Sequence, residues 1–301
     1  MTEANILRLN AHGYAVAVDA AHGASLTSLK WRKPDGEWFE VLHPCPPGEV
    51  ARSGGSFVMT PFANRLDGGR FETDDGVVQV PLNRPEQKMA VHGFSRDRAW
   101  RVVEAADDTL VLVDDFADDG IPFRYRLTQA ISIGPDGVEM SLSLTSTAER
   151  TLPYGMGFHP WFRKESETWL TFKAETGFGR DERGFPTVPM PVSHGPDFSA
   201  GLEVSKMPWF DGHFSGWALR RAVIEWRRQG VMLEISGDSA LRNLHVYVPD
   251  TLPVFCVEPV SHVPDVHNRR DLAAYGDVEW LGPGKTLAGR MRLRLMKGQG
   301  L

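Results

Sequence analysis

Apolar and polar residues alternate with a period of two along much of this chain. Val138, Met140, Leu142 and Leu144 alternate with polar residues in VEMSLSLTS. Met291, Leu293 and Leu295 alternate with Arg290, Arg292 and Arg294, and Ala222, Ile224 and Trp226 do the same in RAVIEWR. Tyr14, Val16 and Val18 make another such face. Successive side chains of a strand point to opposite faces, so strict alternation marks strands with one face buried. It also favours antiparallel sheets, since parallel strands are apolar on both faces. Turn signals punctuate the pattern: PDG at 34–36 and 135–137, DDG at 74–76 and 118–120, and GPGK at 282–285. In each, Gly supplies positive φ and Pro or Asp sets up the turn. Helical periodicity is scarce; RRDLAAYG, 269–276, is the one short candidate. Many strands at short spacing with few helices predict an all-β sandwich or barrel.

A chain of 301 residues, 42% hydrophobic and 24% charged, can fill a sizeable core without a metal or disulfide staple. Sandwiches of this size run as single units. The Pro- and Gly-rich stretch 177–211 resembles a linker, but the strand pattern resumes beyond it unchanged. The expectation is one domain, 1–301, with a long irregular excursion there, of the kind that often serves function. The two cysteines, Cys45 and Cys256, have neither zinc-site nor disulfide-framework spacing, which fits a reducing compartment. The net charge is −6 and no basic stripe stands out, so no nucleic-acid partner is expected. No signal-like N-terminus and no bilayer-length apolar run is present. A soluble cytoplasmic protein with no membrane partner, monomer or homodimer, follows as the expectation.

Residues with chemical potential concentrate in four segments. TPFANRLDGGRF carries Asn64 and Arg65; VHGFSRDRAW carries His92 and Arg96; YGMGFHPWF carries His159 and Trp161; VFCVEPVSH carries Glu258. WFDGHFSGW adds Asp211. Glu258 follows an apolar strand and shares a face with Val254 and Cys256, and burial there would raise its pKa toward that of a base useful near neutrality. Each histidine precedes a turn former and lies among aromatic residues. An apolar wall with a few convergent polar groups is the usual small-ligand design. The bland alternatives are hydrogen-bonded structural histidines and an exposed strand-end glutamate. No local H-x-H or H-E-x-x-H pair supports a metal, and no nucleophile elbow, P-loop or dinucleotide fingerprint is present.

Taken in order, NRL, HGF, YGMGFHPWF, Asp211 and VEP resemble the aldose 1-epimerase family, the galactose mutarotases. The resemblance runs from about Gly54 to the closing segment WLGPGKTLAGRMRLRL. It implies a large antiparallel β-sandwich, the galactose mutarotase-like supersandwich, whose concave face holds a sugar. It implies that His159 is the general acid, Glu258 the general base and His92 a second active-site histidine. Arg65 and Asp211 match residues that hold sugar hydroxyls, Asn64 adjoins them, and Arg96 stands where relatives often carry arginine. Trp161 takes the place of a frequent Tyr or Phe, implying a bulkier wall. Gly212 and His213 depart from the usual residues after the aspartate.

The implied reaction is interconversion of the α and β anomers of an aldose by acid–base ring opening and closure, with no cofactor and no metal. A raised Glu258 and a histidine near its ordinary pKa of about 6.5 would bracket working pH. Gly155 and Gly157 are expected to let backbone approach the sugar, and Pro160 to stiffen a turn. The rival is a non-catalytic sugar-binding or sensing module on the same fold; a glycoside hydrolase would need a flanking carboxylate pair, for which Asp211 is the partner available. The substrate is a monosaccharide, a neutral or acidic hexose or pentose. Arg52, Arg84, Lys88, Arg96, Arg163 and Arg269 lie near the motifs and could meet an acidic substituent.

Overall fold

The alternating segments pair into two large antiparallel sheets. The structure is a computed structural model that describes residues 6–46 and 54–298. In spatial order the first sheet contains Ile6–Ala11, Tyr14–Asp19, Ser25–Arg32, Ser56–Met59, Gly157–Arg163, Val254–Val260, Asn243–Val248, Phe210–Ser215, Thr176–Arg180 and Pro186–Pro191, with Trp38–Glu40 paired to Ser25–Arg32. The second runs Arg101–Ala105, Thr109–Asp118, Ile121–Gly134, Gly137–Ser146, Thr286–Lys297, Val231–Ser239, Arg221–Trp226, Thr168–Phe172 and Leu202–Glu203. The turn signals close hairpins as their chemistry requires. Gly134 pairs with Gly137 across Pro135 and Asp136, and Thr73 pairs with Gly76 across Asp74 and Asp75.

The inner faces of the two sheets meet in one core. Val58, Phe158, Phe162, Leu244, Val246, Phe255 and Val257 come from the first sheet, and Tyr125, Leu127, Met140, Leu142, Ile224, Leu233 and Leu293 from the second. Phe39 and Phe162 both reach Trp226 across the interface, at ring-centroid distances of 5.0 and 6.5 Å. Each fully buried side chain of this size contributes about 1.5–3 kcal/mol relative to exposure. The outward residues of Thr286–Lys297, including Arg290, Arg292 and Arg294, stay in solvent, so that strand alternates as the sequence predicts.

The central strands of the first sheet behave differently. Every residue of Val254–Val260 is buried, and so is all of Gly157–Arg163 except Arg163. Their second face is covered by loops, among them the ladder of Arg65–Asp67 with Met89–Val91. A smaller apolar cluster, Phe57, Met59, Val260, Cys45 and Ala63, packs there. An antiparallel strand thus reads as nearly continuous apolar sequence when both its faces are covered.

Three sequence expectations need correction. Stretch 177–211 is not an irregular excursion: Thr176–Arg180 and Pro186–Pro191 form a hairpin that extends the first sheet, and Leu202–Glu203 edges the second. The segment around His159 is a central strand rather than a turn, with Pro160 opposite Ser56. The candidate helix is a 3-10 helix, Arg270–Tyr275. Among the described residues no helix is long and apolar enough to cross a membrane.

Candidate active site

Period-two alternation puts His159, Trp161, Cys256, Glu258, His245, Tyr247, Asp211 and His213 on the covered outer face of the first sheet. Register then aligns them. His159 lies opposite Phe57. The pairs Gly157↔Val260 and Trp161↔Cys256 place His159 across from Glu258. Glu258 faces His245, which faces His213. A parallel row, two residues along each strand, runs Trp161, Cys256, Tyr247, Asp211. Four strands remote in sequence so build one polar and aromatic floor.

His159 and Glu258 are the centre of that floor. Nε2 of His159 lies 3.3 Å from Oε1 of Glu258. The imidazole stacks with Phe57 (ring centroids 4.4 Å) and Trp161 (5.0 Å). Glu258 is 1% exposed, and its Oε2 has no hydrogen-bond partner among the described residues. Burial pushes its carboxyl well above the usual range, and the nearby Asp211 charge adds to this. Burial likewise lowers His159 to about 3, with the Arg96 guanidinium second in effect. The expectation of a histidine near its ordinary pKa is therefore corrected. The low-dielectric floor favours a neutral imidazole beside a neutral carboxylic acid over a separated ion pair.

The loops above the floor bring in the remaining groups. His92 lies edge-on to His159, ring centroids 5.1 Å apart. Its Nδ1 accepts the Asn64 backbone N–H at 3.1 Å, and the His92 backbone N–H donates to the Asn64 carbonyl at 2.8 Å. Burial holds His92 well below its usual pKa, with Arg96 second. A neutral His92 whose Nδ1 accepts must carry its proton on Nε2. Asn64 and His92 both adopt left-handed φ, 59° and 65°. Gly93 follows at φ 67°, where a Cβ would fall 1.8 Å from the Thr60 carbonyl oxygen; this is why glycine follows the histidine in HGF. Arg96 lies over the Phe57 ring at 5.1 Å and pairs with Asp97 at 3.5 Å.

Asp211 ties the far end of the floor to the loops. Its Oδ2 accepts from Arg65 Nη2 at 2.9 Å and lies 3.1 Å from Arg180 Nη2; its Oδ1 accepts from His245 Nε2 at 2.7 Å. Burial alone would raise this carboxyl, but the His245 hydrogen bond and then Arg65 and Arg180 hold it below the usual carboxylate range. Asn64 Oδ1 accepts from the Arg65 backbone N–H and from Nη1, fixing the guanidinium.

Above this floor lies a cavity of about 430 Å³, within the span typical of small-molecule sites. Every site residue expected from the sequence lines it: His159, Glu258, His92, Asn64, Arg65, Asp211, Arg96 and Trp161. Arg84 does too, whereas Lys88 borders an adjoining cavity of about 470 Å³ that shares Arg65, Glu86 and Gln87. Arg163 pairs with Glu165, Arg269 pairs with Asp271, and Arg52 lies outside the described residues. The expectation about the glycines fails. A Cβ on Gly155 would meet the His262 ring at 2.2 Å, and one on Gly157 would meet Val260 and Met59. They are glycine for packing, and neither lines the cavity. His262 itself is structural: Nε2 accepts the Ala63 N–H and Nδ1 donates to the Val263 carbonyl.

Sequence reading missed Phe57, Trp209, His245, Tyr247 and Arg180. A signal for two of them was present: in NLHVYV, His245 and Tyr247 alternate with the core residues Leu244, Val246 and Val248. Trp209, 43% exposed, stands at the rim with the Arg180 guanidinium 4.6 Å over its ring.

The comparisons with known proteins bear on the family and the fold. The family model described as aldose 1-epimerase matches residues 5–293. The uncharacterized Escherichia coli K12 protein YphB is 28% identical over 276 residues, spanning 87% of this chain and 91% of that protein. A crystal structure from Escherichia coli K12, provisionally assigned as an aldose 1-epimerase, superposes with TM-score 0.86 at 26% identity, covering 97% of this chain and 99% of that one. A galactose mutarotase-like protein from Clostridium acetobutylicum has the same fold, with TM-score 0.85 at 18% identity over 96% and 94% of the two chains.

Proposed function

The chain belongs to the aldose 1-epimerase family, and on that premise we propose that it is a mutarotase interconverting the α and β anomers of an aldose. The observation that carries the reading is the buried His159–Glu258 pair, 3.3 Å apart on the floor of a sugar-sized cavity. Ring opening removes a proton from the anomeric hydroxyl and delivers one to the ring oxygen. Rotation about the bond to the neighbouring carbon and reclosure on the other face reverse both transfers. The net proton change is zero, and the pair matches this. A neutral imidazole beside a carboxylic acid holds as many protons as an imidazolium beside a carboxylate. One proton shift across the pair readies Glu258 as base toward the anomeric hydroxyl and His159 as acid toward the ring oxygen.

The surrounding groups take supporting roles. His92 offers its Nε2–H to the ring-oxygen side, where charge develops. Arg65 offers donors to sugar hydroxyls, held in place by Asp211, which also anchors Arg180 and His245. Asn64 fixes Arg65, Trp161 forms an apolar wall for the C–H face of the ring, and Arg96 adds a positive charge beside the histidines. The reaction moves no electrons and transfers no group, so these side chains suffice for its proton transfers. General acid–base catalysis contributes about 10²- to 10⁴-fold.

The substrate is read as a monosaccharide, and Arg84 and Arg96 leave room for an acidic substituent. The chain is read as one domain because both sheets line a common core, and as cytoplasmic, in keeping with two buried cysteines that form no disulfide. Exchange between anomers measured by NMR across neutral and acidic sugars tests the proposal. Acceleration that vanishes in His159→Asn and Glu258→Gln supports it. Sugar binding by calorimetry with no acceleration in the native protein would instead favour a binding module.

A further inference from the structure

Behind the acid–base pair lies a group that the proposed reaction leaves unused. Cys256 precedes Glu258 by two residues on the same strand face and lies opposite Trp161. Its thiol is fully buried and unpaired and does not line the sugar cavity. A ligand atom from each of His159, Cys256 and Glu258 lies within 4.8 Å of the other two. His159 and Glu258 each also have a buried atom without a hydrogen-bond partner among the described residues, Nδ1 and Oε2 respectively.

From this juxtaposition we infer that His159, Cys256 and Glu258 form an inhibitory site for a thiophilic divalent cation such as Zn²⁺. Tetrahedral zinc with bonds of about 2.0–2.2 Å to N and O places those two atoms roughly 3.4 Å apart. His159 Nε2 and Glu258 Oε1 already stand at 3.3 Å. Sulfur, bound at about 2.3 Å, would be drawn in by roughly an ångström. One nitrogen, one sulfur and one oxygen ligand with a fourth position left for water is the pattern of an open zinc site. Here the open position faces the cavity, since His159 and Glu258 both line it. The imidazole and a thiolate select Zn²⁺ or Co²⁺ over Mg²⁺ and Ca²⁺, which take oxygen ligands. Binding displaces the thiol proton and the carboxyl proton to solvent, so it strengthens as pH rises. It occupies the acid and the base together and excludes the sugar.

The inference goes beyond the mutarotase reading and can be read without it. The probe is Co²⁺ added to the intact native protein, followed by its thiolate-to-metal charge-transfer absorption, with Zn²⁺ as competitor. The expected result is a one-to-one band that Zn²⁺ abolishes, and Mg²⁺ does not. Cys256→Ala and Cys256→Ser should lose the band and keep their fold by circular dichroism. In the exchange assay, both should retain the native rate but need at least about 10-fold more Zn²⁺ for half inhibition, the loss typical of removing even a group that only supports a ligand. No charge-transfer band in the native protein, or a band or Zn²⁺ sensitivity unchanged in both variants, would overturn the site. A band in a protein that exchanges no anomers would leave the site standing and the mutarotase reading refuted.

Discussion

His159 and Glu258 face each other from adjacent central strands, with Nε2 and Oε1 3.3 Å apart and both side chains out of solvent. Burial makes a full ion pair costly there, so the resting pair is neutral and its proton is shared chemistry rather than a fixed salt bridge.

That neutrality makes the two side chains separable from the fold. Glu258→Gln replaces a neutral carboxylic acid by an isosteric neutral amide, and His159→Asn removes no charge. Both variants should change stability by no more than about 1–3 kcal/mol, the range for one altered buried polar group. Catalysed anomer exchange should fall by about 10²- to 10⁴-fold in each. Thermal melts and NMR exchange rates check the two halves, and rates near native in both variants would refute the assignment.

The same burial sets a pH dependence of stability. His159 is lowered to about 3 and His262 to about 4, while His92, His213 and His267 also lie well below 6.5, in each case chiefly through burial. In the unfolded chain these histidines take up protons near pH 6.5. Between 6.5 and the folded values the unfolded state therefore binds more protons, and stability is full above pH 6.5 and drains as pH falls toward 4. Each histidine steepens the slope by up to about 1.4 kcal/mol per pH unit. Glu258, raised by burial, and Asp265, raised to about 6 by burial, work the other way and lose stability as pH rises through their folded values. The histidines outnumber them, so the midpoint of thermal unfolding should drop steadily from pH 7 to pH 4.5. A flat or rising profile would contradict the buried neutral histidines.

Much of this was legible in the chain. Alternation marked the strands, and Pro-Asp-Gly and Asp-Asp-Gly marked their hairpins, because these are local consequences of backbone geometry. The motif residues of the site were legible as clusters of His, Arg, Asn and Glu among aromatics. What the chain did not disclose was register. Nothing local says that Glu258 faces His245 or that Asp211 faces Tyr247, since those pairings are set by a shared core and distant turns. Nor does composition reveal that the outer face of the central strands is roofed by loops. That roof removes solvent and so shifts His159 away from its ordinary pKa. Gly155 was misread for the same reason: its neighbour, His262, is more than a hundred residues on.

Gly155 gives a direct test of that packing. A Cβ there meets His262 Cδ2 at 2.2 Å and Nε2 at 2.4 Å, distances no rotamer of a buried ring relieves cheaply. Because His262 Nε2 accepts the Ala63 N–H, displacing it also disturbs the loop that leads to Asn64 and Arg65. Gly155→Ala should destabilise by about 1–3 kcal/mol, as overpacking does, and lower activity. Gly134→Ala, whose Cβ would meet nothing within 4 Å, is the control expected to be near neutral in urea unfolding. Equal midpoints for the two would mean that His262 yields freely.

Asp211 separates binding from chemistry. Its two oxygens are taken up by Arg65, Arg180 and His245 at 2.9, 3.1 and 2.7 Å. A carboxylate so engaged acts on a sugar mainly through the donors it aims. Asp211→Asn keeps the shape but halves the acceptor capacity and removes the negative charge, so at least one of the three loses its fixed direction. Hydrogen bonds to charged groups are worth about 1.5–3 kcal/mol, and each 1.4 kcal/mol is tenfold. The variant should therefore raise KM by roughly 10- to 100-fold and leave kcat within a few-fold, because the His159–Glu258 geometry is held by different strands. Arg180→Gln, which removes one arm of the clamp, should shift KM in the same direction by less. Steady-state kinetics on one responsive sugar decides it: a fall in kcat at unchanged KM would place Asp211 in the proton transfers instead of in substrate binding.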